Sequence, residues 1–419
     1  MRMVTLLLLG SWLLSASLLA QHDTTTLSLG AGYADQVWYS LSEGEQSRAA
    51  LADWDLAFSI QGFAATIGVN DAKGLELYPY PSGDTAAWAT LDTAGMSGWT
   101  PAYNSATDWG AGAFNQGEDP NDDLDLGWGV YNVVTHHVTG DSLFVVKFPD
   151  GSVQKLWLQS LASGVYTFRH ATLDGSMDMT HTLSKSAFEG KRFGYYHLTT
   201  HQSLDPEPPS ADWDLLFTRY IDFIPVPYGV TGVLSHPNVG VAQVYPVDDV
   251  TSYAEYESAS FDSSKNVIGY DWKRFDMATF SWQLQDSLVY VVKDQSGELW
   301  KLVFTDFGGS STGEFFFTQD NLSTTHVPNQ PTQPFLTVYP NPARAQATVS
   351  VVADLPAGAA RAVQVTLFDM QGRTLLQQAQ PLQPGLSRYA LPLPALTPGV
   401  YTLRVQAGEQ QAWQKIRVH

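Results

Sequence analysis

A six-residue stretch occurs twice, and it limits what this chain can fold into. Asp53-Trp54-Asp55-Leu56-Ala57-Phe58 and Asp212-Trp213-Asp214-Leu215-Leu216-Phe217 differ at one position. Alternation of Trp, Leu and Phe predicts an extended strand with one bulky apolar face, and it sends the two aspartates to the opposite, solvated face. An aromatic pair precedes each copy, WYSL at Trp38 to Leu41 and YYHL at Tyr195 to Leu198. A hairpin pattern follows each, from Asp141 (DSLFVVKFPDGSVQKLWL) and from Asp286 (DSLVYVVKDQSGELWKLVF). Trp54 maps to Trp213 at an offset of 159 (213 − 54), and Asp141 to Asp286 at 145 (286 − 141). The second copy is thus shorter by about 14 residues between its shared blocks, and two copies suit tandem domains better than a solenoid.

Strands read as WYSL, DWDLAF, LFVVKF, VQKLWL and VYTFRHATL, punctuated by Gly, Pro, Asn and Asp, and Pro149-Asp150-Gly151 marks a tight hairpin turn. No long segment carries a sustained 3.6-residue apolar period, so the expected fold class is all-β. Residues 1–21 read as a signal peptide: Arg2, an apolar run from Val4 to Leu19, then small residues such as Ser17 and Ala20. The expected domains are a first module over 22–182, a second over 183–323, a Pro-rich linker over 324–334 and a small β-sandwich over 335–419. No later stretch approaches the roughly 18 apolar residues of a spanning helix, so the mature protein is expected to lack a transmembrane segment.

The chain holds 22 Lys+Arg against 42 Asp+Glu, a net charge of −20, which argues against nucleic acid or anionic lipid as partner. It has no cysteine, which excludes disulfides, thiolate metal sites and a cysteine nucleophile.

The C-terminal segment resembles the type A sorting domain of the type IX secretion system of some Gram-negative bacteria. The resemblance rests on Tyr339-Pro340-Asn341-Pro342, on Asp369 with Gln371-Gly372-Arg373, on Pro398-Gly399-Val400-Tyr401 and on the closing Lys415-Ile416-Arg417-Val418. It implies an immunoglobulin-like sandwich, contact with the secretion machinery, and a protein released from or attached to the outer cell surface. The repeated part is similar to the HmuY-type haem-carrier family. The matching residues are Asp53 to Phe58 with Val146, Lys147, Gly151 and Lys155, and Asp212 to Phe217 with Lys293, Gly297 and Lys301. That resemblance implies two HmuY-like modules and haem as a ligand; the family grips iron with a His or Met pair.

Of the residues that could carry chemistry, the variable middle of the first module concentrates the most. It holds Trp88, Trp99, Trp109, Trp128 and Met96, with His136 and His137 nearby. For haem, Met96 with His136 or His137 is the best available axial set, with Trp99 and Trp109 as flat stacking faces. The alternative is an adhesion surface for glycans or protein partners. Asp53 with Asp55, and Asp212 with Asp214, resemble hydrolytic carboxylate pairs but suit solvated or backbone-bonding roles better. Glu118, Asp119, Asp122, Asp123 and Asp125 form an acidic loop without the Gly and closing Glu of a calcium loop. His181, His197, His201 and His236 are scattered, and no protein-bound metal is expected. Neither a nucleophile elbow nor a phosphate or dinucleotide loop is present, so the chain reads as a binding protein and not as an enzyme.

Overall fold

The computed structural model describes residues 24–256, 259–323, 336–355, 362–381, 385–407 and 410–419. The expected signal peptide and the 324–334 linker lie outside the described residues. The chain divides into two units at Ser323/Thr324. Among the described residues the protein is all-β, with a single α-helical turn at Gly309–Thr312.

Four larger sheets build the first unit. A seven-stranded sheet runs Asp178–Ser184, Val165–Thr172, Val153–Ala162, His137–Gly140, Gly129–Asn132, with Leu143–Lys147 also on Val153–Ala162 and Glu76–Pro79 beyond it. A four-stranded sheet runs Gln202–Leu204, Phe193–His197, Leu56–Ser59, Ile67–Val69. The second four-stranded sheet runs Pro227–Ser235, Leu215–Phe223, Asp35–Ser40, Gly44–Ala50. A five-stranded sheet runs Thr24–Ser28, Glu314–Asn321, Leu299–Phe307, Val289–Lys293, Gly240–Val244.

Three apolar clusters layer these sheets. Leu56 and Phe58 of the first four-stranded sheet pack with Phe144, Leu156 and Phe168 of the seven-stranded sheet. Leu215 and Phe217 pack with Tyr290, Leu302 and Phe317 of the five-stranded sheet. The opposite faces of the two four-stranded sheets meet through Ala57, Tyr195, Trp38, Trp213 and Leu216. The repeated motif therefore supplies the two inner layers of a stack, apolar on both faces, where each fully buried Leu or Phe contributes about 1.5–3 kcal/mol.

This corrects the alternation expected from sequence. Each motif enters through a 3-10 turn, Leu51–Asp53 or Ser210–Asp212, and bends at Asp55 or Asp214 before its strand begins. The bend turns Trp54 and Trp213 toward the cluster between the inner sheets, away from the clusters that take Leu56, Phe58, Leu215 and Phe217. Asp55 and Asp214 are not solvated but buried. Their carboxylates accept backbone N–H groups, Asp55 Oδ2 from Leu198 at 2.7 Å and Asp214 Oδ2 from Leu41 at 2.9 Å.

Those two bonds expose an exchange across the 182/183 boundary. Tyr195 and Tyr196 pair with Ala57 and Leu56, although their strand precedes the other motif in the chain. Trp38 and Tyr39 likewise pair with Leu216 and Leu215. The Thr24–Ser28 strand pairs with Glu314–Asn321. Each half thus donates its aromatic strand to the other. Symmetry extends to the amides that hold the 3-10 turns. Asn70 Nδ2 donates to the Leu51 and Trp54 carbonyls, and Gln295 Nε2 to those of Ser210 and Trp213.

The second unit is a sandwich of a three-stranded and a four-stranded sheet around Val349, Val351, Val365, Leu367, Leu403 and Ile416. Its sequence marks are structural fasteners. Asn341 Nδ2 donates to the Lys415 carbonyl and its Oδ1 accepts the Arg417 N–H, so the Tyr-Pro-Asn-Pro stretch holds the last strand. Asp369 accepts from the backbone of Gln371 and Arg373 and pairs with the Arg373 guanidinium, around a turn with Gly372 at φ 78°. Tyr401 donates its hydroxyl to the Thr397 carbonyl.

The two buried aspartates carry unequal loads, because Asp55 also pairs with Lys73 Nζ at 2.7 Å. Asp55→Ala strands the Leu198 N–H and takes one of two partners from that partly buried ammonium, which keeps the Ala52 carbonyl at 2.8 Å, and is expected to cost about 2–4 kcal/mol. Asp214→Ala strands the Leu41 N–H and removes weaker bonds to Gln295 and Ser40, none of them to a charged group, at about 1–3 kcal/mol. Urea midpoints of the two variants check this; the reverse order would reject the assigned roles.

Candidate functional site

A cavity of about 100 Å³ lies between the two inner sheets. Trp54, Ala57 and Tyr195 of one sheet, Gln36, Leu216 and Tyr220 of the other, and Asn104 and Trp109 of the variable middle line it. Trp109 crosses from the first half to the second: its Nε1 donates to the Ser235 carbonyl at 2.8 Å, and its ring meets Trp213 edge-on at 6.2 Å. Close by, Lys265 N donates to the Thr107 carbonyl, a second tie between the halves.

The polar lining is rich in donors. Gln36 Nε2, Trp54 Nε1 and the Tyr220 hydroxyl are buried with no hydrogen-bond partner. A stranded buried donor of this kind costs about 1–3 kcal/mol unless something accepts from it. Lys265 is buried at 6 % exposure, with its ammonium 4.6 Å from the Trp109 ring centroid. Burial pulls its pKa down to about 8, against the attraction of Asp71 and Asp108. Asp71 moves the other way, pushed up to about 6 by desolvation, while Lys265 and the Asn104 amide favour its charged form. Two titratable groups displaced toward neutrality beside stranded donors mark a binding site more than a packed core.

The residues singled out in the sequence do not converge. Of the expected ligand residues Met96, Trp99, Trp109, His136 and His137, Trp109 alone lines this cavity. Met96 and Trp99 are partly buried in another cluster with Tyr78 and Trp88, where Trp99 meets Tyr80 edge-on at 5.6 Å. His136 and His137 line a separate surface hollow with Phe63, Tyr131 and Lys185. His136 sits at φ 57° with Nδ1 2.7 Å from the Tyr131 hydroxyl. Trp88 and Trp128 are buried. In the acidic loop, Asp119, Asp122 and Asp125 accept backbone N–H groups of their own loop.

Two of the histidines read as scattered, His181 and His201, converge with His170, which the sequence reading did not single out. His170, His181 and His201 each offer a ring nitrogen, and these atoms lie within 4.8 Å of one another. His170 and His181 stand on adjacent antiparallel strands, where Phe168 faces His181, so they are diagonal neighbours on one face. The Asp174-Gly175 turn between them could have given that register. His201 arrives from a hairpin of the other sheet, which no local signal reveals.

Compared with known proteins, residues 337–419 match the family described as Secretion system C-terminal sorting domain. The chain carries a type IX sorting domain. Residues 28–322, which hold the DWDL strands, lie outside that match. No curated protein matches the chain. Among solved structures, the C-terminally truncated trimeric ectodomain of the C. elegans fusion protein EFF-1 is similar at 7 % identity. That match covers 66 % of this chain and 68 % of that one, and its TM-score of 0.17 carries no argument. With its sorting domain, the protein is exported through the type IX machinery and is secreted or attached to the outer surface of a Gram-negative bacterium. No helix among the described residues is long and apolar enough to cross a membrane.

The shifted carboxyl of Asp71 gives the cavity a pH signature. An acid whose folded pKa lies above its unfolded value binds protons more tightly when folded. Its stabilisation is therefore full below the ordinary 3.8 and declines as pH rises to about 6. Asp71→Asn is expected to remove that decline, so the stability gap between variant and parent changes across pH 4 to 6 and is level above it. Urea midpoints measured at half-unit intervals check this; parallel curves would reject the buried, protonatable carboxyl.

Proposed function

We propose that this exported protein is a non-enzymatic binding protein that takes a small carboxylate between its two inner sheets. The observation that carries the reading is the set of stranded donors, Gln36 Nε2, Trp54 Nε1 and Tyr220 Oη, in one aromatic-walled cavity with the buried Lys265 ammonium. A carboxylate is acceptor-only when ionised, and its several lone pairs match these three donors and the Lys265 ammonium, which shares the lining with the carboxyls of Asp71 and Asp108. Ala57, Leu216 and Leu234 supply an apolar wall for a short carbon chain. The exported location fits capture of a ligand outside the cell.

Size argues against the planar haem ligand expected from the family resemblance. A cavity of about 100 Å³ falls well below the roughly 300 Å³ at which sites for larger organic ligands begin. The glycan-adhesion reading loses two of its four indoles, since Trp88 and Trp128 are spent on core.

Two measurements test the proposal on the full untagged chain. Propionate and butyrate are expected to change the tryptophan emission saturably. Trp54→Phe or Lys265→Met should weaken the response about tenfold, the worth of one good hydrogen bond to a charged group. No saturable change with either acid would reject the site, and so would crystallographic waters satisfying all three donors while the acids stay out. Deleting residues 335–419 is expected to leave the protein in the periplasm with its emission response unchanged. Appearance of the truncated protein in the medium would contradict the export role of the tail.

A further inference from the structure

We infer that His170, His181 and His201 form a binding site for a late first-row divalent metal ion such as Zn²⁺, built where the seven-stranded sheet meets a turn of the neighbouring four-stranded sheet. His170 lies on the Val165–Thr172 strand and His181 on Asp178–Ser184, so the seven-stranded sheet contributes two ligands in fixed register. His201 completes the set from the turn that follows Phe193–His197 in the neighbouring four-stranded sheet.

The separations fit an ion. His170 Nε2 and His181 Nε2 are 3.0 Å apart. Two imidazole nitrogens on one tetrahedral Zn²⁺ stand about 3.3 Å apart, given Zn–N bonds of about 2.0–2.1 Å. The rings of His181 and His201 are parallel within 10°, with centroids 5.4 Å apart. The ring nitrogens all lie within 4.8 Å of one another, so closing the third ligand onto the ion needs a shift of at most about 1.5 Å, within reach of a side chain on a turn.

Three further features belong to a ligand set more than to a packing arrangement. His170 Nδ1 lies 2.9 Å from Gln154 Oε1, and an amide oxygen can only accept. The ring proton therefore sits on Nδ1 and the Nε2 lone pair points at the other histidines. This is the orienting bond that metal-bound histidines use. His201 Nδ1 is buried with no hydrogen-bond partner. His201 also holds φ at 59°, a left-handed conformation that costs a non-glycine residue about 1–3 kcal/mol and tends to persist where function requires it.

The donor set selects the metal. Three imidazole nitrogens with no carboxylate favour Zn²⁺, Cu²⁺, Ni²⁺ or Co²⁺ over the oxygen-seeking Ca²⁺ and Mg²⁺. With three protein ligands, a fourth position is left for water or a small anion. His181 and His201 are only partly buried, so solvent reaches the site.

Calorimetry of the full untagged chain with Zn²⁺, and absorbance with Co²⁺, test the assignment. One Zn²⁺ per chain and a Co²⁺ visible band of four-coordinate intensity are expected, with no uptake of Ca²⁺. His201→Asn, which tolerates the left-handed backbone, and His181→Gln should abolish both signals. Gln154→Ala, which releases the His170 tautomer, should weaken Zn²⁺ binding about 10–100-fold. His136→Ala/His137→Ala should change nothing. Absence of Zn²⁺ and Co²⁺ binding in the parent would overturn the inference. So would binding that survives both His201→Asn and His181→Gln. A response to carboxylates does not enter either readout, so the two sites stand or fall separately.

Discussion

The arrangement of the first unit depends on one kind of bond, a buried carboxylate that accepts a backbone N–H from the other half of the chain. Asp55 takes the Leu198 N–H and Asp214 takes the Leu41 N–H. Each bond locks the end of a donated aromatic strand beside the strand that begins one residue after the aspartate. The backbone bonds Asp55 N to Tyr196 O and Asp214 N to Tyr39 O fix the same junction. A carboxylate is suited to this place, since a charge-assisted bond to N–H is roughly twice as strong as a neutral one. The second acid of each motif is thus a staple between halves.

Strand existence was legible in the sequence wherever β-branched and aromatic residues alternate between turn signals. The hairpin at Pro149-Asp150-Gly151 appears with Gly151 at φ 85°, and its counterpart has Gly297 at φ 90°. The sandwich of the sorting domain was legible for the same reason. Strand exchange was not. WYSL and YYHL carry nearly the same apolar pattern, so periodicity cannot decide which motif each joins. The buried aspartates were hidden by a related ambiguity. Asp in an alternating run reads as solvent-facing, and only the 3-10 turn before it reverses that sense.

The lysines of the hairpins show how a scaffold fixes its variable parts. Lys155 and Lys301 are both buried, at 3 % and 5 % exposure. Lys155 Nζ donates to the Trp88 carbonyl and Lys301 Nζ to the Thr251 carbonyl, both at 2.8 Å. In each half a charged hairpin residue reaches out to a backbone oxygen of the divergent middle segment. The sequences of those segments can therefore differ while their anchorage stays the same, because a carbonyl is present whatever the side chain. This separates what the repeat conserves from where the candidate site draws its particular residues, Trp109 and Asn104.

The two candidate sites share one strand. Along Phe193–His197, Tyr195 lines the cavity, whereas Tyr196 packs on Phe168 and lies 5.3 Å from His181. Successive side chains of a strand point to opposite faces, so the cavity and the histidines lie on opposite sides of the same four-stranded sheet. The strand then turns through residues 198–201, where His201 supplies the third imidazole and Leu198, at the start of the turn, is the residue that Asp55 holds. One carboxylate therefore fixes both the wall of the cavity and the approach of the third histidine. A shift of that strand would move Tyr195 and His201 together, which makes the Asp55 junction the physical link between two sites whose ligands never touch.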